Sequence, residues 1–323
     1  MHNNIDSNYK KEFLVQINQS PQIPPQPPPS YKSIIKLFLL STLLQSISTI
    51  YIKLLQNYYI TTYSTSTFLL FRGCAILISI ITYSQCTGKE ITKISKLPHK
   101  KWIILNSTLS FISIGSFALS VLYLRCFTSQ TFTIITSVTV VVISKFFFKE
   151  KLPFHRKLIC LICLSGVCII LLNEYMTQNK GTYFLGIKWS LLSLISHSLW
   201  VLLRQRVGMN LGFHIQSFYN QCFICGFSLL YMLLNKFDFI ITPWYVVFSG
   251  IHGLNLFFVR YLNEILMGNE FVLKYSWMNH LRLLYVMIMC SFILKDVYFL
   301  DLVGVCVVVG ILVYDTVQHL NIK

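Results

Sequence analysis

The sequence predicts an all-α membrane protein in which ten transmembrane helices form two inverted five-helix repeats. Hydrophobic residues make up 54% of the 323 residues, charged residues only 12%, and the mean hydropathy is +0.62. Soluble domains carry about 25% charged residues. Ten apolar segments are long enough to cross a bilayer, and a similar pattern of residues ends each half of the chain.

The chain begins with a polar stretch, residues 1–32, that is rich in proline and glutamine between positions 21 and 29. Such a composition cannot bury a core and favours extended polyproline conformations. It also lacks the apolar run of a secretory signal peptide. We therefore predict a disordered cytoplasmic tail, and its composition leaves open a role as a docking peptide.

The membrane region divides into a first repeat, residues 33–175, and a second repeat, residues 181–318. A transmembrane helix needs roughly 20 residues, and several connections are only a few residues long, so neighbouring helices should be antiparallel. The first segment is interrupted by Lys53, and the ninth contains three basic residues. The ten segments are 34–56, 66–85, 102–124, 129–148, 157–173, 183–203, 214–235, 243–262, 271–294 and 298–316.

The distribution of lysine and arginine predicts the orientation. Loops that follow even-numbered segments, counted with Lys157 and Arg260 at the bordering segment ends, hold 12 of these residues, and loops that follow odd-numbered segments hold 4. Cytoplasmic loops are enriched in positive charge, so both termini should face the cytoplasm. Because five helices per half is an odd number, the second half enters the membrane inverted. We expect a multi-pass integral protein of an endomembrane or the plasma membrane.

The end of each repeat carries the same layout. In the first, an apolar helix leads to a turn at Glu150 and then to a helix that contains Gly166. In the second, a turn at Asp296, 146 residues later, leads to a helix with Gly304 and Gly310. The two acidic turns should therefore lie on opposite membrane faces, and cysteines placed there should react from opposite sides.

These residues resemble the drug/metabolite transporter superfamily, particularly its EamA-like members. Lys149-Glu150-Lys151-Leu152 followed by Gly166 is similar to the end of a repeat in that family, and Arg72 resembles the arginine common in its second helix. In the second copy, Asp296 stands in place of Glu, and the two glycines are closer together. The resemblance spans about residues 34–316 and implies a secondary transporter with its solute cavity between the halves.

A second resemblance concerns nucleotide-sugar carriers. Phe218-Tyr219-Asn220-Gln221 is similar to the Phe-Tyr-Asn-Asn motif of GDP-mannose carriers. Their Gly-Ala-Leu-Asn-Lys motif corresponds here to Ser276-Trp277-Met278-Asn279-His280, and only the Asn agrees in type. The resemblance keeps nucleotide sugars as an alternative substrate class and makes Tyr219 and Asn220 candidate substrate-binding residues, in addition to Arg72 from the superfamily resemblance.

Two matched polar stripes predict the solute site. The first stripe lies on one face of the ninth segment, at positions i, i+4 and i+7, and the repeat offset of 146 residues maps it onto one face of the fourth segment. Arg282 lies about 16 Å into its segment, too deep to reach the interface easily. A guanidinium there favours an anionic or phosphate-bearing solute, whereas a purely structural arginine would bind helix carbonyls or a loop carboxylate. The stripes are Tyr275, Asn279 and Arg282, and Ser129, Thr133 and Thr136.

Acidic residues and cysteines give weaker indications. The carboxylates lie in the tail, in loops or near helix ends, so the sequence disfavours proton coupling through a carboxylate in mid-membrane. His197 and His280 are predicted to be structural. The Cys160/Cys163 and Cys222/Cys225 pairs lie inside apolar segments without a neighbouring histidine, which favours helix packing over a zinc site.

Three function classes follow from these observations. We expect a secondary transporter, an exchanger or a facilitator, of a small organic anionic metabolite. A nucleotide-sugar antiporter of the endomembrane system is the narrower alternative, and a non-transporting scaffold or receptor is the alternative from another class. The chain lacks the paired aspartates or His-Glu-x-x-His of a membrane enzyme, so we expect neither catalysis nor a cofactor. The expected partners are a small-molecule solute and the lipid bilayer. We expect no nucleic acid partner, because most of the lysines and arginines behind the net charge of +16 lie between the apolar runs. A homodimer is left open.

Overall fold

The computed structural model describes residues 31–58, 64–89, 91, 100–148, 154–207, 213–234, 242–267, 281–295 and 297–321. Within these ranges the regular structure is entirely helical, as the sequence predicts. The helices are α1 (Tyr31–Tyr58), α2 (Thr65–Thr87), α3 (Lys100–Tyr123), α4 (Cys126–Ile134), α5 (Thr136–Phe148), α6 (Phe154–Thr177), α7 (Lys180–Val207), α8 (Phe213–Leu234), α9 (Pro243–Met267), α10 (Leu281–Met289), a π-helical turn π1 (Cys290–Leu294) and α11 (Phe299–Asn321).

The chain divides into two units, Met1–Ile35 and Lys36–Lys323. The smaller unit is described only where it opens α1, so nearly all of the predicted tail lies outside the described residues. The turns at Glu150 and Asp296 also lie outside them. The larger unit contains everything discussed below.

Within the described ranges, six helices are long and apolar enough to cross a membrane. Two shorter apolar helices, Leu281–Leu294 and Phe299–Tyr314, follow near the end of the chain. Many large apolar side chains on these helices are exposed, for example Ile78, Leu161 and Phe184, which suits a surface in contact with lipid. The protein is therefore an all-α membrane protein. The six spans are Ile35–Tyr58, Thr65–Thr87, Lys100–Tyr123, Lys157–Thr177, Lys180–Leu203 and His214–Leu234.

The fourth predicted segment is divided in the structure. It begins at Cys126, three residues earlier than predicted, and a turn at Ile135 separates α4 from α5. Thr131 donates its hydroxyl to the Phe127 carbonyl and Thr139 donates to the Ile135 carbonyl, at 2.9 and 3.2 Å. Such bonds back to the preceding turn compete with the helix and often bend it. The bend explains why a single apolar run forms two helices.

The helices α6 and α11 cross where two glycines meet. A Cβ added to Gly166 would lie 3.0 Å from the Gly304 carbonyl oxygen, and a Cβ added to Gly304 would lie 2.9 Å from the Gly166 carbonyl oxygen. Small residues let helix backbones approach closely in membranes. The two glycines of the predicted repeat ends therefore contact one another.

We expect Gly304→Ala to destabilise the protein by about 1–3 kcal/mol, because the added methyl group would meet Ile170 at 2.5 Å and the backbone of α6. Thermal unfolding of the purified protein in detergent measures the change. The matched control on the same helix is Gly310→Ala, since a Cβ at Gly310 would meet nothing within 4 Å. Equal unfolding midpoints for the two variants would contradict the close crossing.

Candidate solute-binding site

The side chain of Arg282 joins α10 to α1. Its Nη1 donates to Gln45 Oε1 at 3.1 Å, and its Nη2 donates to Thr49 Oγ1 at 3.2 Å. Thr49 in turn donates to Gln130 Oε1 on α4 at 3.0 Å. The contact between α1 and α10 also involves the backbone, since Ser46 Oγ on α1 lies 3.4 Å from the Arg282 carbonyl oxygen. Three helices thus meet around one guanidinium.

This cluster contains buried hydrogen-bond donors that the described residues do not satisfy. Arg282 Nε and Gln130 Nε2 are both enclosed, and neither has a hydrogen-bond partner in the described part of the chain. The partners of Arg282 in that part are neutral side chains, with no carboxylate among them. Buried polar groups are normally paired, and an unpaired charge is the costliest exception. The cluster therefore has the capacity to bind an additional acceptor, preferably an anion.

The face of α1 beside this cluster is polar along about two turns, from Ser41 to Ser48. Ser41 donates to Asn263 Oδ1 at 2.7 Å, and Asn255 Nδ2 donates to Ser48 Oγ at 2.7 Å. His252 lies 3.2 Å from the Ser48 carbonyl oxygen. These bonds tie α1 to α9, so the polar wall that includes Gln45 has a fixed position.

The predicted polar stripe on the fourth segment lies close to this cluster in sequence. Ser129 precedes Gln130, is buried, and has a hydroxyl without a hydrogen-bond partner among the described residues. Thr136 is also buried, and the same holds for its hydroxyl. Thr133 is half-buried. On the ninth segment, Tyr275 and Asn279 lie outside the described residues, so the structure describes only Arg282 of that stripe.

The other candidates belong to the interfaces of α2 and α8. Arg72 is buried, and its carbonyl oxygen would lie 2.5 Å from a Cβ on Gly253 of α9. Asn220 is buried and accepts a hydrogen bond from Ser107 Oγ of α3 at 2.8 Å, while Tyr219 is half-buried. Asn220 thus joins two helices. None of the described contacts connects these three residues to Arg282.

A second buried polar cluster surrounds Arg125, which connects α3 to α4. Its Nε pairs with Glu174 Oε2 near the end of α6, and its Nη1 and Nη2 donate to Asp301 of α11 at 2.7 and 3.2 Å. Asn173 Nδ2 donates to Asp301 Oδ1 at 2.7 Å. Arg125 is 6% exposed and both carboxylates are 0% exposed. Removing one member of a buried ion pair typically costs about 3–5 kcal/mol.

The sequence did not predict the partners of Arg282 or the partners of Arg125. Gln45 and Thr49 are four residues apart on α1, a spacing that places them on one face, but no motif marks them. Arg125 is one of the four cations that the sequence places in loops after odd-numbered segments, and the structure instead buries it between two carboxylates. The carboxylates do lie near helix ends, as expected. Their burial and pairing depend on helices distant in sequence.

Arg260 departs from what its position in the sequence predicts. A cation near the end of an apolar segment, such as Arg260 or Lys145, is expected to extend to the membrane interface. In the structure its Nη1 and Nη2 lie 2.8 and 3.2 Å from the side-chain amide of Gln221, with the amide oxygen turned toward them as acceptor. Gln221 is buried on α8. Arg260 therefore points into the protein, whereas Lys145, the other example, is exposed as expected.

Comparison with known proteins supports the fold. No protein-family model matches the chain, and no functionally described protein matches it in sequence. A solved crystal structure of a protein aligns with 90% of this chain and 99% of its own chain, with a TM-score of 0.63 and 12% sequence identity. At that identity the likeness shows a shared fold alone.

Proposed function

We propose that the protein is a secondary transporter, an exchanger or a facilitator, of a small organic anion, and that Arg282 binds the solute. The observation that carries the proposal is the part-buried guanidinium of Arg282, whose partners in the described part of the chain are neutral and whose enclosed Nε has no partner there, beside the unpaired amide nitrogen of Gln130. Ionisable groups inside membrane helices most often mark a solute or ion pathway. Transporters of this kind bind their solutes near the middle of the membrane.

The pattern of helix contacts supports two inverted halves. We take α1–α6 as one half and α7–α11 as the other. If the two halves are equivalent, the contact between α3 and α7 has a counterpart between α9 and α1, and both contacts are present. The α5–α7 contact likewise becomes α10–α1, the contact that Arg282 makes. The pairs α2–α8, α4–α10 and α6–α11 map onto themselves and are also in contact. This arrangement favours the drug/metabolite transporter resemblance.

The chemistry of the cluster favours an oxyanion. A guanidinium holds carboxylate or phosphate oxygens through several N–H groups at once. The hydroxyls of Ser129 on α4 and Thr136 on α5, which have no partner among the described residues, are candidate further donors. Nucleotide sugars belong to this anionic class. The Asn220 motif adds no separate support for them, because Asn220 binds Ser107.

Uptake by the full-length protein in proteoliposomes tests the proposal. Vesicles preloaded with sugar phosphates, nucleotides or dicarboxylates are offered the labelled anion, and cationic and neutral solutes serve as parallel panels. We expect uptake of at least one anionic class that depends on the protein and is stimulated by an internal anion. Uptake of only neutral or cationic solutes would contradict it. Folded protein that moves no solute of any panel would favour a scaffold or receptor.

A further inference from the structure

We propose that Arg125, Glu174 and Asp301 form a latch between the two halves that closes one end of the solute pathway and separates at Asp301 when that end opens. The inference rests on the proposed transport function and on the two-half architecture. It assigns a role to a buried ionic cluster that solute binding at Arg282 does not use.

The members of the latch come from different halves of the chain. Arg125 and Glu174 belong to the first half, and Asp301, in the first turn of α11, belongs to the second. Two bonds from Arg125 and one from Asn173 reach Asp301, so this carboxylate accepts three side-chain hydrogen bonds that cross between the halves. All of these groups lie at helix ends: after α3, in the last turn of α6 and in the first turn of α11. In a bundle of alternating helices these ends meet at the same membrane face.

The two carboxylates hold Arg125 in different ways. Glu174 also accepts the Arg125 backbone N–H at 2.8 Å and the Thr128 hydroxyl at 2.7 Å, so it anchors the start of α4 within its own half. Asp301 instead accepts the backbone N–H of Tyr298 at 2.9 Å and lies at the positive end of the α11 dipole. After separation, Arg125 would keep Glu174, and Asp301 would keep its own helix terminus. Each half would therefore retain a compensated charge, as a reversible contact requires.

Packed side chains connect the latch to the proposed solute site. Cys126 follows Arg125 directly, is fully buried, and belongs to the same hydrophobic cluster as Leu283, the residue after Arg282. The Arg125 guanidinium is also flanked by the rings of Phe127 and Tyr298, at 4.7 and 5.2 Å from their centroids. Closed in this way, the end of the bundle excludes solvent from Cys126. Opening of the latch would expose it.

Labelling of Cys126 tests the latch without any solute. The other nine cysteines are replaced by serine or alanine, and a charged thiol reagent is applied to the purified full-length protein in detergent. We expect Asp301→Asn to increase the labelling rate about tenfold or more, because charged hydrogen bonds across the interface are weakened. Glu174→Gln is the matched control: it removes the same charge and loosens the start of α4, but it keeps the bonds from Arg125 to Asp301, so its labelling should stay well below that of Asp301→Asn.

A second variant keeps the cluster's net charge. Asn173→Asp combined with Asp301→Asn moves the carboxylate from the second half to the first, and it should also label faster than the parent. The latch is overturned if both Asp301 variants elute as folded protein and label Cys126 at the parent rate. It is also overturned if Glu174→Gln accelerates the labelling of Cys126 as much as the Asp301 variants do. If both Asp301 variants fail to fold while Glu174→Gln folds, the cluster acts in folding, which also overturns it. Because no solute is used, a failed latch and a failed transport proposal give different results.

Discussion

Replacing Arg282 with glutamine should reduce anion uptake by about 10- to 100-fold at matched expression, the loss expected when one charged hydrogen-bonding partner of a bound anion is removed. Glutamine is shorter than arginine, but the bond from Ser46 to the carbonyl oxygen of residue 282 does not depend on the side chain, so the contact between α10 and α1 should survive. What disappears is the positive charge and the free Nε. Initial uptake rates in proteoliposomes, with the elution profile of each variant as a check on folding, measure the effect.

Lys145→Gln is the control for Arg282→Gln. It removes the same charge from the membrane region, but the Lys145 side chain is exposed on α5. Its uptake should equal that of the parent protein. Normal uptake by folded Arg282→Gln would show that the arginine holds α1 and α10 together and does not bind the solute.

Arg125→Gln should lower the free energy of unfolding by about 3–5 kcal/mol, since it leaves the buried carboxylates of Glu174 and Asp301 facing one another without their cation. Both oxygens of each carboxylate accept bonds in the described structure, so a neutral amide cannot replace the guanidinium's charge. The unfolding midpoint of the purified variant in detergent measures the loss.

A triple variant distinguishes the effect of the charges on stability from the effect of side-chain shape. Arg125→Gln combined with Glu174→Gln and Asp301→Asn removes every charge and retains similar side-chain volumes. Replacement of a complete buried ionic group by neutral side chains is often close to neutral in stability. We therefore expect the triple variant to regain most of the stability that Arg125→Gln loses. An equal loss in both would mean that hydrogen-bond geometry, rather than the unpaired carboxylates, dominates.

The two clusters differ in how far the sequence could reveal them. Arg282 was predicted because a cation deep within an apolar run is conspicuous without any knowledge of its neighbours. Its partners Gln45, Thr49 and Gln130 are ordinary polar residues, and only the packing of α1, α4 and α10 brings them to the guanidinium. Tyr275 and Asn279 stay predictions, because they lie outside the described residues.

Arg125 shows the opposite case. Between two apolar segments an arginine is indistinguishable by sequence from any loop cation. Glu174 is 49 residues away and Asp301 is 176 residues away. No local pattern can predict that three charges so distant will be buried together. The same holds for Gly166 and Gly304, whose positions were noted as part of a repeat but whose mutual contact depends on how α6 and α11 cross.

The sequence by itself determined that the protein is helical and belongs in a membrane. Apolar run length and charge content are local properties, and a bilayer demands helices whose backbone bonds are satisfied within each segment. Ten segments in inverted halves and the orientation follow from the same patterns and stay predictions. Only the tertiary structure decided which polar groups are paired and which retain free donors, because hydrogen bonds between helices depend on how helices distant in sequence pack together.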